Sequence, residues 1–253
     1  MIASRLLKLV LLFGFLTGCA TTPSSPSGST DLRSFDEAAV INLQLGMEYM
    51  QNGNFDLAED KLLKAIYLDK NIPQAHNALG VLYAETGRYG AALEEYRTAV
   101  GLDSRFSLAR MNYGELLCQQ GEVAKGEEQY ERVIKDYGGT GPAGVYDGLG
   151  LCRLEANDPV AAEGLFNKAL DLDPRAVRSL LGLSEARLGQ GDPVQAKTYL
   201  ERYHASAPES AHSLLVGYRV EEALGNPALA EGYELRLRTN FPESREAAEL
   251  RGS

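Results

Sequence analysis

The sequence predicts an all-α protein: a right-handed α-solenoid of six helix pairs followed by a short capping helix. Three observations carry this reading. Short words recur 34 residues apart, as in Asn42-Leu43-Gln44-Leu45-Gly46 and His76-Asn77-Ala78-Leu79-Gly80. Turn residues keep the same beat at Gly53, Gly87, Gly121, Asn157, Gly191 and Gly225. Small residues follow each turn at a fixed distance, at Ala58, Ala92, Gly126, Ala162, Ala196 and Ala230. A period of this length marks a supersecondary unit that cannot bury its apolar face alone and therefore stacks on its neighbours.

The chain opens with a segment that is not part of the stack. Arg5 and Lys8 precede an apolar run, Leu9 to Leu16, which ends in Leu16-Thr17-Gly18-Cys19. The run is too short to span a bilayer with margin, and the basic start and small-residue end read as a secretory signal over residues 1–18. The four-residue ending resembles the lipobox of bacterial lipoproteins, which implies cleavage before Cys19 and lipidation of its thiol. Several acyl chains on one residue would anchor stably, where one chain binds only marginally. By the same resemblance, Ala20 in place of Asp favours the outer membrane. Residues 19–36 then serve as the lipidated cysteine and a tether. Thr21 to Thr30 holds only Ser, Thr, Pro and Gly, which would set the body roughly 20 Å from the lipid on flexible-chain scaling.

The repeat domain occupies 37–253, with units at about 39–72, 73–106, 107–140, 143–176, 177–210 and 211–244. The step from Gly114 to Gly150 is two residues longer than the others, because the connector Gly138-Gly139-Thr140-Gly141 intervenes. In each unit a residue tolerant of positive φ ends the first helix and a cap starts the second. Asn157-Asp158-Pro159, Gly191-Asp192-Pro193 and Gly225-Asn226-Pro227 use one device: a capping side chain, then Pro at the first helical position. Pro174, Pro208 and Pro242 fall in the connectors between units, where they stop one helix and aim the next. The fifth and sixth units depart from the pattern. Ser184 and Tyr218 stand where the first-helix glycine is expected, and Arg187 and Glu221 where an aromatic is expected. A short helix at about 243–251 caps the stack. This combination matches the tetratricopeptide pattern over nearly all of the chain after the tether.

Composition limits the function. With Arg5 and Lys8 removed, 23 basic side chains remain against 35 acidic ones, which argues against nucleic acid and against a polybasic grip on anionic lipid. His76, His204 and His212 lie far apart without metal-ligand spacing, and no cofactor is implied. No Ser, Cys or His is placed with a base and an orienting partner. Glu94-Glu95, Glu127-Glu128 and Glu221-Glu222 sit on helical faces where neighbours diverge, and read as solvated. The chain is expected to be a binding scaffold and not an enzyme.

Number the first helix so that Gly46, Gly80, Gly114 and Gly150 take position 8. Positions 4, 7, 8 and 11 of this repeat then face the core, and 2, 5, 9 and 12 face the concave groove. Leu43, Met47 and Met50 fall on one groove stripe and occupy no core position. The second unit adds Asn77, Val81 and Ala84, and the third adds Met111 and Cys118. Met is favoured at surfaces that accept another apolar segment. Asn77 and Asn112 could hydrogen-bond a peptide backbone, or simply be solvated. Later grooves mix Asp147, Glu185, Arg219 and Glu222 with leucines and read as solvated. Groove positions 5 and 9 hold no Lys, which disfavours a carboxylate clamp. Once Cys19 is modified, Cys118 and Cys152 remain, either as a disulfide or as two buried thiols.

Several stretches carry a narrower resemblance: Gln44-Leu45-Gly46-Met47-Glu48-Tyr49-Met50-Gln51-Asn52-Gly53-Asn54, Asn112-Tyr113-Gly114, Leu149-Gly150-Leu151-Cys152, and Ser213-Leu214-Leu215-Val216-Gly217-Tyr218-Arg219. With the lipobox at its distance, the chain resembles the type IV pilus biogenesis and stability lipoprotein family (PilF/PilW), in which six such repeats follow a lipidated cysteine. The resemblance implies a pilotin: a protein that binds the secretin subunit and promotes its localisation and multimerisation in the outer membrane, facing the periplasm. It implies that the groove of the early repeats receives the secretin segment. It also implies a Cys118–Cys152 disulfide between the third and fourth repeats. The competing binding reading is a lipoprotein scaffold for another envelope complex, serving outer-membrane protein assembly or peptidoglycan enzymes.

Overall fold

The computed structural model describes residues 32–252, and all regular structure among them is helical. The thirteen helices are α1 Leu32–Gln51, α2 Phe55–Leu68, α3 Pro73–Glu85, α4 Tyr89–Leu102, α5 Ser107–Gln119, α6 Val123–Asp136, α7 Ala143–Glu155, α8 Pro159–Leu172, α9 Val177–Gly189, α10 Pro193–His204, α11 Ala211–Ala223, α12 Pro227–Asn240 and α13 Arg245–Gly252. The first twelve form six antiparallel pairs, each second helix packs on the first helix of the next pair, and α13 lies on both α11 and α12. The expected signal peptide, Cys19 and the tether up to residue 31 lie outside the described residues.

The turns within pairs are built alike. At the end of α1, Gly53 donates its N–H to Met50 O and Asn54 donates to Tyr49 O, both at 2.9 Å, with Gly53 at φ 71°. This arrangement consumes the orphan carbonyls of the helix end. The fourth pair does it with Asn157 at φ 56°, a residue that tolerates this region better than most. Asp158 and Asp192 then cap α8 and α10 by accepting from Ala161 N and Gln195 N, each at 3.1 Å. Asn226 does not repeat the device. Its side chain makes no cap and instead donates to Glu221 Oε2 at 2.9 Å.

Packing explains the period. The position-8 glycine lets the second helix place a large side chain against the backbone of the first. A Cβ on Gly46 would lie 2.7 Å from Leu62, one on Gly80 2.7 Å from Tyr96, and one on Gly150 2.5 Å from Phe166. Tyr130 and Phe166 are also contacted from the next unit. Tyr130 is keyed between Gly114 and Gly148, and Phe166 between Gly150 and Gly182. The same aromatic ring therefore closes one unit and fixes the next onto it. In the third unit the recurring alanine is Gly126, because the sulfur of Cys118 fills the space its Cβ would need.

The last two units keep the architecture by other means. Ser184 is fully buried and donates its hydroxyl to Ala196 O at 2.8 Å, which satisfies the group that replaces glycine. In the sixth unit the glycine expected at residue 218 is found at Gly217. Its partner Tyr233 shifts by one residue too, so the pair stays matched. At position 11, where an aromatic is expected, Arg187 pairs with Glu163 and Glu221 with Lys197, each tying a first helix to the preceding second helix. The acidic doublets correct the expectation of solvated faces: Glu221 is buried against Lys197, Glu95 reaches His76, and Glu127 reaches Arg153. Burial alone would raise the Glu221 carboxyl, but Lys197 and Asn226 outweigh it and hold it below the usual range.

Gly148→Ala should destabilise the protein by about 1–3 kcal/mol through overpacking against Tyr130. Gly90→Ala, an exposed helical position with open space around its Cβ, should stabilise by about 0.5–1 kcal/mol. Thermal unfolding followed by circular dichroism checks both.

Candidate functional site

The structure divides the predicted groove residues by burial. Met47 is 46 % exposed, whereas Leu43 is 8 % exposed and belongs to the first core cluster with Ala58, Leu62 and Leu79. Leu43 thus takes a core position, contrary to the expected stripe. Met50 is half-buried against the same cluster, and Val81 and Met111 are half-buried against the next ones. Asn77 is buried, and Asn112 Nδ2 donates to Asn77 Oδ1 at 2.9 Å. These two asparagines fasten α3 to α5. Their amides already have one partner each, so they are helix-bridging groups.

What the sequence reading missed is the open end of the stack. Positions 3, 7 and 10 of each first helix meet the preceding second helix. Position 3 is Ala75, Ala109, Val145, Ser179 and Ser213 in the later units, all fully buried. Position 10 is Leu82, Leu116, Cys152, Ala186 and Val220, again all buried. The first unit has no predecessor among the described residues, so Ile41 and Leu45 at positions 3 and 7 are 48 % and 36 % exposed. Glu48 holds position 10 there and is exposed. On the other flank of α1, Val40 and Met47 are also exposed, at 44 % and 46 %. A polar strip of Glu37, Gln44 and Glu48 runs between the two flanks. The signal was available in sequence: only the first unit carries a large β-branched aliphatic side chain and an acid at positions that elsewhere must fit beneath a neighbour.

A second concave feature lies over the third to sixth units. This cleft of about 750 Å³ is lined by Glu115, Leu151, Arg178, Leu181, Glu185 and His212, among others. Two pairs of its charges are matched internally. Arg178 reaches Glu115 across two units at 2.9 Å, and His212 Nε2 lies 3.1 Å from Glu185 Oε2. Asp147, expected to be solvated, is buried beneath this surface and accepts the Ser179 hydroxyl. Burial raises its carboxyl despite the opposing pull of Ser179 and Arg178. Cys118 and Cys152 form a disulfide with Cα atoms 5.1 Å apart, joining α5 to α7. The bond spans the junction with the longer Gly138–Gly141 connector. Among the described residues no group of three His, Cys, Asp or Glu side chains could hold a metal ion.

Two histidines give the stack a pH dependence. His76 Nδ1 lies 2.7 Å from Glu95 Oε2 and its Nε2 is 3.1 Å from Lys70 O. The Glu95 bond raises the His76 pKa against the opposing effect of burial. Glu185 does the same for His212. A base with a raised folded-state pKa stabilises fully below its unfolded value and loses that stabilisation as pH rises through the folded value.

Comparisons with known proteins agree with this architecture. Profiles of the tetratricopeptide repeat match residues 43–105, 86–142 and 153–216. Type IV pilus assembly protein PilF of Pseudomonas aeruginosa is 41 % identical over 64 residues, a quarter of this chain and a quarter of that protein. The solved structure of P. aeruginosa PilF aligns with 29 % identity and a TM-score of 0.63, covering 87 % of this chain and 99 % of that one. PilW, described as a widely conserved type IV pilus biogenesis factor, shares the fold at 24 % identity and TM-score 0.69, covering 84 % and 97 %. A tetratricopeptide repeat protein of Parabacteroides merdae shares it at 15 % identity and TM-score 0.75, covering 88 % and 85 %.

Stability should fall from a pH below about 6.5, the unperturbed histidine value, to a pH above the raised folded-state values as the His76 and His212 protons are lost. His76→Gln should flatten that slope in denaturant titrations at the two pH values; an unchanged slope would remove His76 as its source.

Proposed function

The chain belongs to the tetratricopeptide repeat family and is related to the pilus biogenesis factors PilF and PilW, and on that premise we propose that it is a lipid-anchored pilotin-type scaffold. In this reading it binds a secretin subunit of the type IV pilus and promotes its localisation and multimerisation in the outer membrane. Acyl chains on Cys19 carry the protein to the periplasmic face of that membrane. The observation that carries the binding step is the exposed face of α1. It presents Val40, Ile41, Leu45 and Met47 to solvent, although the counterparts of Ile41 in every later unit are fully covered. Among the described residues, half of an interface that the molecule itself makes five times is left open at one end. The other end is closed by α13, whose Ala247 packs with Leu214, Leu215 and Leu237.

A partner segment that completes this face does what a preceding second helix does elsewhere in the stack. It covers Ile41 and Leu45 with small and aliphatic side chains, and a basic residue opposite Glu48 fits the acid that replaces Leu82 of the second unit. From there the partner continues over Met47 towards Met50, Val81 and Met111 on the concave side. Binding requires no chemical step. Its strength comes from apolar burial and its register from the polar strip.

Burying one such aliphatic side chain is worth about 1.5–3 kcal/mol, so Leu45→Glu or Met47→Glu should weaken secretin capture roughly tenfold or more. Helicity should not change, and unaltered secretin multimers in these variants would count against the α1 face. Cys19→Ser should yield a folded soluble protein in cells whose secretin is mislocalised. Normal outer-membrane secretin in those cells would remove the anchoring step.

A further inference from the structure

The connector edge of the first two units carries a surface that partner binding at α1 does not use. Because each pair is antiparallel, α1 begins where α2 ends and α3 begins where α4 ends, so the chain enters the body at this edge. Tyr67, in the last turn of α2, is 81 % exposed, more than any other large hydrophobic residue described. Leu63 lies one turn before it, and Leu102 and Leu108 flank the next connector, all three exposed. The cations are concentrated here as well. Lys61, Lys64 and Lys70 fall within ten residues of a chain whose net charge is −10, and Arg105 occupies the following connector. Lys64 Nζ lies 4.8 Å from the centre of the Tyr67 ring. Three acids lie among them: Asp60 pairs with Lys61, while Asp69 and Asp103 accept the backbone N–H groups of Asn71 at 2.8 Å and Arg105 at 2.9 Å and keep their charge, which leaves the three cations Lys64, Lys70 and Arg105 against two carboxylates.

We propose that this edge rests on the membrane surface, with Tyr67 and Leu63 at the headgroup boundary and Lys64, Lys70 and Arg105 against anionic lipid phosphates. An aromatic with an apolar body and a polar tip, flanked by long cationic side chains, is the chemistry that suits a wet–apolar boundary. The lipid is the occupant because of where the chain leads. Twelve residues separate Cys19 from α1, and they can reach no more than about 40 Å when extended. With Cys19 lipidated, which is the reading given above, this edge is the part of the body held nearest the bilayer. The contact orients the solenoid so that the α1 face stays clear for its partner.

The test needs no acyl chain and so separates this inference from the lipidation reading. The protein from residue 19 onward, carrying Cys19→Ser, contains no tryptophan; Tyr67→Trp supplies a single reporter, and Leu229→Trp on the opposite edge of the last unit a control. On vesicles of phosphatidylethanolamine with phosphatidylglycerol, emission of the first reporter should shift to shorter wavelength and that of the control should not. Adding Lys64→Gln and Lys70→Gln should weaken the vesicle affinity roughly 25-fold, about five-fold per cation. An absent shift, an equal shift at residue 229, or an equal affinity for purely phosphatidylcholine vesicles would overturn the proposal. A shift produced by purified secretin and not by vesicles would reassign the edge to protein and overturn it equally.

Discussion

The stack depends on one contact: a large side chain of the second helix pressed into the gap left by a missing Cβ on the first. Tyr130 and Phe166 show it in full, each keyed between glycines of two successive first helices. Burying such a ring is worth about 1.5–3 kcal/mol, and here one ring stabilises both a unit and its junction with the next. A single pair has no other way to cover its apolar side, so stability accumulates by junctions. Where the key is altered, the substitute is polar and paired. Ser184 is hydrogen-bonded to the facing backbone, and Arg187–Glu163 and Glu221–Lys197 tie consecutive units at the position where an aromatic is expected. The disulfide between Cys118 and Cys152 reinforces the junction with the long connector, and Gly126 is the space it requires.

A repeating interface leaves two ends, and this chain treats them differently. α13 closes the last unit with Ala247 and Leu250, set among Leu214, Leu215 and Leu237. The first unit is left with Ile41 and Leu45 in the open, although a solubilising end would carry polar residues at those positions. The open face and the cleft over the later units also differ in kind. The cleft has two charge pairs formed within itself, Glu115–Arg178 and Glu185–His212, whereas the α1 face is apolar on both flanks and exposes the acids Glu37 and Glu48, the latter at a position buried elsewhere. A partner gains more by covering the latter, because it breaks no existing ion pair to do so.

The fold was legible in the sequence because its causes are local. Glycine at the turns, alanine or glycine after them, and proline at the second-helix starts each act within a few residues and recur at one spacing. The failures share a different cause. Leu45 sits at a core position of the repeat, but its burial depends on a preceding unit, and none precedes it among the described residues. Leu43 sits at a groove position and is turned into the core beside Leu62. Asp147 was expected in water and is buried because Ser179, 32 residues on, faces it. Asn77 and Asn112 bridge two helices, a pairing visible only once α3 and α5 lie side by side. Gly217 and Tyr233 moved together by one residue, which preserves the contact and hides it from a fixed 34-residue count.

The exposed face of α1 is the proposed working surface of the scaffold. Hydrogen–deuterium exchange on the protein with and without purified secretin distinguishes this face from the later cleft. New protection should appear in α1, over residues 37–51, with the amides of α9 and α11 unchanged. Protection confined to α7, α9 and α11, with α1 exchanging as in the free protein, would contradict it and move the partner to the later cleft.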